Sequence, residues 1–173
     1  MEQLWLREAL RWPRLKRLLF WMLGVGLADQ GSGWWARQAL AHHHVIWIIH
    51  PYLSFQLLYN TGAMLGLGAR FPVLITAIGV IGTVILVGLA LASRRYFGPA
   101  AMMASGALGN VISRLAQGRV TDFVRVSGWP GIFNLSDVAL RLGVLWMFWR
   151  MIRTERSSPA VAPDASKAPT RGS

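Results

Sequence analysis

Between Ala9 and Thr154 the chain holds three acidic residues, and all three are aspartates: Asp29, Asp122 and Asp137. The other acids, Glu2, Glu8, Glu155 and Asp164, sit in the terminal stretches. Asp122 and Asp137 are joined by a short loop, so their carboxyl groups can meet. Two carboxylates that share a site do not both ionise easily, and the pair then holds one proton at working pH. One aspartate acts as base on a water while the other donates to a scissile carbonyl. That is the chemistry of aspartic peptide hydrolysis. The same residues also admit a structural reading, with Asp122 paired to Arg114 or Arg125 and Asp137 to Arg141 at helical i,i+4 spacing. Spacing alone leaves both open. The chain has no cysteine, which removes a thiolate nucleophile, a disulfide framework and a cysteine metal site. Consecutive histidines at His42, His43 and His44 cannot all face one metal from a regular element, and a solvated loop is expected there.

The elements that must position these aspartates are apolar. Of 173 residues, 54% are hydrophobic and 14% charged, with nine tryptophans; a soluble domain carries about a quarter charged residues. Crossing a bilayer takes ~20 apolar residues. Four stretches qualify: about Leu18 to Trp35, Phe71 to Ala92, Phe97 to Leu115, and Ile132 to Ile152. The expected fold is an all-α membrane protein of four transmembrane helices. A small extracytoplasmic β element is expected between helices 1 and 2, where Val45 to Tyr59 is rich in β-formers interrupted by Pro51. Small residues in the third span (Gly98, Ala100, Ala101, Ala104, Gly106, Ala107, Gly109) predict close helix approach. Asp122 falls in the loop after span three, Asp137 near the start of span four, and Asp29 in the outer half of span one. An ionisable residue at membrane depth points to function.

The net charge of +11 is concentrated at the ends. Arg7, Arg11, Arg14, Lys16 and Arg17 precede the first span, and Arg150, Arg153, Arg156, Lys167 and Arg171 close the chain. No basic stripe interleaves with aromatics, so nucleic acid is not an expected partner. With Arg94 and Arg95, twelve cations lie on one side against five (Arg37, Arg70, Arg114, Arg119, Arg125) on the other. The positive-inside bias puts both termini in the cytoplasm of a multi-pass protein. Residues 1–155 read as one membrane-embedded domain and 156–173 as a disordered cytoplasmic tail.

At its polar residues the sequence resembles the lipoprotein signal peptidase family, signal peptidase II. Asn60, Gly62, Ala63 and Gly66 match an Asn-x-Gly-Ala-x-x-Gly block. Gly106, Ala107, Gly109, Asn110 and Arg114 match the third-span motif. Gly118-x-Val120-x-Asp122-Phe123 and Phe133-Asn134-x-x-Asp137 match the two aspartate motifs. The blocks cover most of residues 18 to 150, in order. The chain resembles a divergent member: Ser113 stands where the family has an Asp before the Arg, and Gly33 where it has a Lys four residues after Asp29.

The resemblance implies an aspartic endopeptidase of the bacterial inner membrane. Such enzymes cut diacylglyceryl-modified prolipoproteins before the lipid-bearing Cys, with no metal or organic cofactor. It maps the catalytic pair onto Asp122 and Asp137, with Asn60, Gly62, Asn110, Arg114, Asn134 and Asp29 as substrate-binding or supporting positions. The expected partners are the lipidated substrate and membrane lipid, with the enzyme a monomer. Two other functions remain open. One is a non-catalytic paralogue that holds lipidated peptides or an inhibitor. The other is a proton-coupled transporter, which the outward placement of the three aspartates disfavours.

Overall fold

A computed structural model of the chain describes residues 2–42 and 45–155. The tail expected at 156–173, and His43 and His44, lie outside the described residues. Four long helices carry the chain: α1 (Glu2–Ala39), α2 (Pro72–Ala92), α3 (Phe97–Gln117) and α4 (Leu135–Glu155). Three strands accompany them: β1 (Ile46–Ile49), β2 (Leu53–Asn60) and β3 (Val120–Val126). The architecture is helical with one small antiparallel sheet, in the order β1-β2-β3.

The helices α2, α3 and α4 fall where the apolar stretches predicted them. α1 is longer than its apolar part, at 38 residues, or ~57 Å at 1.5 Å per residue. Its N-terminal half is rich in Leu, Arg, Lys, Glu and Ala, which are good helix formers, and the helix continues through the basic stretch despite Pro13 inside it. Among the described residues, α2 is the one helix both long and apolar enough to cross a membrane by composition.

α3 is the central helix and contacts α1, α2 and α4. Its small residues account for this. Ala100, Ala101 and Ala104 are buried, and a Cβ added at Gly106 would come within 2.9 Å of the Leu140 backbone nitrogen on α4. Close approach in a membrane-type bundle rests on residues of this size. The outward faces are apolar: Phe20, Leu23 and Leu27 on α1, Val73, Ile81, Val84 and Ile85 on α2, and Leu145 and Phe148 on α4 are exposed.

The sheet corrects one expectation. It is not confined to the segment between α1 and α2, because β3, from between α3 and α4, pairs with β2 along most of its length. Asp122 therefore lies in a strand and not in a loop. Val120, Thr121, Phe123, Val124 and Val126 supply the β-branched and aromatic residues that favour this. The pairing partner, some 60 residues earlier, leaves no local trace. Trp35, Phe55 and Phe123 dock the sheet on the end of α1, with ring centroids 5.5 to 6.3 Å apart in edge-to-face geometry.

Candidate active site

β2 carries an irregularity between Phe55 and Leu58: two residues there, Gln56 and Leu57, oppose Phe123 alone on β3. An extra strand residue switches which side chains share a face. Beyond it, Leu58 pairs with Asp122 and Asn60 with Val120, so Asn60, and not Tyr59, shares the face of Asp122. Asn60 Nδ2 donates to Asp122 Oδ2 at 3.1 Å. The Asn60 side chain also shapes the turn after β2. Its Oδ1 accepts the Gly62 N–H at 2.9 Å, and its Nδ2 donates to the Ala63 carbonyl at 3.2 Å. Gly62 has no room for a side chain: a Cβ would lie 2.6 Å from the Gly66 carbonyl. Arg114, reaching across from α3, donates from Nη2 to the Gly62 carbonyl at 2.6 Å.

Asn134 caps α4. Its Oδ1 accepts the backbone N–H of Asp137, the third helical residue, at 2.8 Å, a standard N-cap arrangement. Its Nδ2 donates to Asp122 Oδ1 at 3.1 Å and to Asn110 Oδ1 at 2.9 Å. Asn110 in turn donates to Asp137 Oδ1 at 2.9 Å. The two aspartates are thus linked through two asparagine carboxamides, one on α3 and one at the start of α4.

Asp29 is the buried support beneath them. Its Oδ1 accepts the Ser136 N–H at 2.8 Å, which satisfies a second free donor at the head of α4 and sets a carboxylate against the positive end of the helix dipole. With Gly33 in place of the Lys that the resemblance puts there, the second oxygen of Asp29 finds its partner in Gln30. Gln30 Nε2 donates to Asp29 Oδ2 at 3.0 Å, to Ser113 Oγ at 3.0 Å and to the Gly109 carbonyl at 3.3 Å. A neutral carboxamide therefore joins Asp29 to Ser113. The space over Gly33 faces Arg37, one turn on, whose Nη1 donates to Thr121 Oγ1 at 3.1 Å, next to Asp122.

The alternative ion pairs are not formed. Arg114 donates to backbone carbonyls, Arg125 donates to Gln56 Oε1 at 3.1 Å, and Arg141 stacks on Phe133 and Trp129. Sequence reasoning missed the parts played by Gln30, Arg37 and Ser136. The polarity of Gln30 beside Asp29 in an apolar stretch was the available signal.

The pair opens on a cavity of about 400 Å³. Asn60, Asn110, Arg114, Asp122, Asp137 and Arg141 supply its polar groups, and Ile75, Ile78, Val111 and Leu140 its apolar wall. Seven of the eight expected site residues fall in one hydrogen-bonded network; Asp29 bonds instead to Ser136 and Gln30, and Asp29, Gly62 and Asn134 do not line the cavity. Asp122, in the strand outside the helices, is 1% exposed. Burial pushes its carboxyl up to about 7, and the charge of Asp137 pushes the same way; the hydrogen bond from Asn60 and the charge of Arg114 oppose the rise. A carboxyl raised in this way can keep a proton near neutrality. Among the described residues no three His, Asp or Glu side chains gather as metal ligands.

The family model for signal peptidase (SPase) II matches residues 21–153. A lipoprotein signal peptidase from Symbiobacterium thermophilum is 34% identical over 157 residues, covering 80% of this chain and all of its own. One from Coxiella burnetii is 34% identical over 159 residues, covering 86% of this chain and 94% of its own. Two solved structures of bacterial membrane enzymes, both obtained by the in meso method, superpose with TM-scores of 0.72 and 0.68. Each is 21% identical; they cover 85% and 80% of this chain, and 94% of each of theirs. With a family model running through both aspartate motifs and relatives matched over nearly their whole length, this chain belongs to the signal peptidase II family.

Proposed function

We propose that this chain is a membrane aspartic endopeptidase that removes signal peptides from prolipoproteins before the lipid-modified cysteine, with Asp122 and Asp137 as its catalytic pair. The observation that carries the reading is the pair of aspartates, joined through Asn110 and Asn134, beside a mostly apolar cavity. Asp137 takes a proton from the attacking water. Asp122, the deeply buried member, gives its proton to the scissile carbonyl oxygen as the tetrahedral carbon forms. Asp137 then passes its proton to the leaving amine, the C–N bond breaks, and Asp122 recovers its proton from the collapsing hydroxyl. Asn60 and Asn134 hold the Asp122 carboxyl in place, and Arg114 holds the Gly62 turn at the mouth of the cavity.

We read residues 1–155 as one membrane-embedded domain of four spans. Support comes from the lipid-compatible outer faces of α1, α2 and α4, and from the polar groups of α3 and α4 turned inward, as intramembrane polar groups are expected to be. The positive-inside bias supports cytoplasmic termini in a bacterial inner membrane, with the sheet and the aspartates at the outer surface.

The test is cleavage of a diacylglyceryl prolipoprotein by the purified chain, beside Asp122→Asn and Asp137→Asn. Cleavage before the modified cysteine, lost by ~10³-fold or more in either folded variant, supports the peptidase. A folded chain that binds the substrate and cuts nothing would leave a non-catalytic lipopeptide binder.

A further inference from the structure

Arg141 lies on α4 one helical turn beyond Asp137, further from the sheet, and lines the same cavity. Its guanidinium carbon is 4.9 Å from the Phe133 ring centroid and 5.7 Å from that of Trp129. Aromatic contacts of this kind orient a guanidinium and leave N–H donors at its edge for other partners. Among the described residues it meets rings alone, with neither a hydrogen-bond acceptor nor a carboxylate. Its helix neighbour Leu140 and the facing Ile78 and Val111 offer no acceptor side chain. A cation at such a depth is expensive unless it faces a cavity whose contents accept its hydrogen bonds.

We propose that Arg141 is a specificity-determining residue that donates to the ester carbonyls of the diacylglyceryl group on the substrate cysteine. The proposal rests on the peptidase reading. In that reading the scissile bond sits at Asp122 and Asp137, and the lipid-bearing cysteine is the residue immediately after it. The glyceryl esters thus begin within a few bonds of the pair, and one helical turn is ~5.4 Å along the axis. Ester carbonyls are uncharged acceptors that tolerate an apolar wall, and the guanidinium can meet both with separate N–H groups. The acyl chains beyond them suit Ile75, Ile78 and Val111.

The test compares a diacylglyceryl prolipoprotein with its dialkyl ether analogue, which keeps the chains and lacks the ester carbonyls. Both are cleaved by the full chain in lipid, as wild type, Arg141→Leu, Arg141→Gln and Arg141→Lys. Wild type should favour the diester. Arg141→Leu should raise KM for the diester about 10-fold or more, the scale of a lost hydrogen bond to a charged group, with kcat little changed and the ether analogue unaffected. Arg141→Lys should recover part of the preference. Equal losses on both substrates, or no loss on either, in a Leu or Gln variant with wild-type thermal stability would overturn the assignment. A wild type that cuts neither substrate would instead overturn the peptidase reading, and this proposal with it.

Discussion

Asn134 accepts the backbone N–H of Asp137 at 2.8 Å through the same carboxamide whose nitrogen reaches Asp122 at 3.1 Å. One side chain therefore starts a helix and ties one aspartate to the other. The two tasks use different atoms, so they separate by substitution. Asn134→Ser keeps an oxygen for the cap and loses the donor; Asn134→Ala loses both. The Ala variant should lose ~1 kcal/mol of stability and the Ser variant much less. Both should lose activity alike, by about 10- to 100-fold. Thermal unfolding in detergent alongside cleavage assays would check this, and full activity in the Ser variant would remove Asn134 from the site.

The raised carboxyl of Asp122 sets an activity profile. The reaction needs one shared proton on the pair, and above about 7 that proton leaves. Below the acid limb both carboxyls are protonated and no base remains. A bell-shaped kcat/KM is expected, falling on the alkaline side near 7, with both limbs belonging to the pair and not to single residues. A profile rising through pH 9 would contradict the shared proton.

The same carboxyl bears on stability. Folded, Asp122 titrates near 7; unfolded, near its ordinary 3.8. Between those values the unfolded chain releases a proton that the folded chain keeps, so stability falls as pH rises through that window. Asp122→Asn carries no such charge. The wild-type Tm should therefore decline from about pH 4 to pH 7 more steeply than that of Asp122→Asn, as measured by thermal unfolding across that range.

The scarcity of acids made Asp29, Asp122 and Asp137 legible from sequence, since an apolar chain has few reasons to keep a carboxylate. The helices α2 to α4 were legible for the same reason that they suit lipid: their apolar runs are long. The third strand was not. Val120–Val126 is seven residues long, and its partner β2 is remote in sequence. Local periodicity carries no information about a distant partner. The switch of face between Phe55 and Leu58 that brings Asn60 to Asp122 is a matter of register, which the residues Leu53–Asn60 do not display on their own. Gln30 was passed over because helical position alone did not tell whether its amide faced lipid or α3.

Gly62 tests the turn at the mouth of the cavity. A Cβ there would lie 2.6 Å from the Gly66 carbonyl and 2.7 Å from that of Leu67, all backbone atoms with no flexible end to move aside. Gly62→Ala should cost ~1–3 kcal/mol, as overpacking does, and should displace the carbonyl that holds Arg114. A cleavage loss larger than that of Gly66→Ala, which meets open space but starts from a positive φ of 75°, would separate crowding from backbone strain.

The neutral link at Gln30 makes a prediction that runs against simple loss. Ser113→Asp sets a second carboxylate beside Asp29 with the Gln30 amide between them, and like charges in a buried site oppose each other. That variant should be less stable than wild type and less active. Gly33→Lys alone adds a cation near Arg37, over a position where a Cβ finds 3.6 Å to Arg37 Nη1 and 3.8 Å to the Thr121 Cβ, ordinary contact. Together the two changes supply both members of an ion pair. The double variant should recover stability beyond the sum of the singles, by ~0.5–3 kcal/mol of coupling. Unfolding midpoints of the four proteins measure that coupling directly. Strict additivity would mean that Gln30 does not occupy the place of a charged pair.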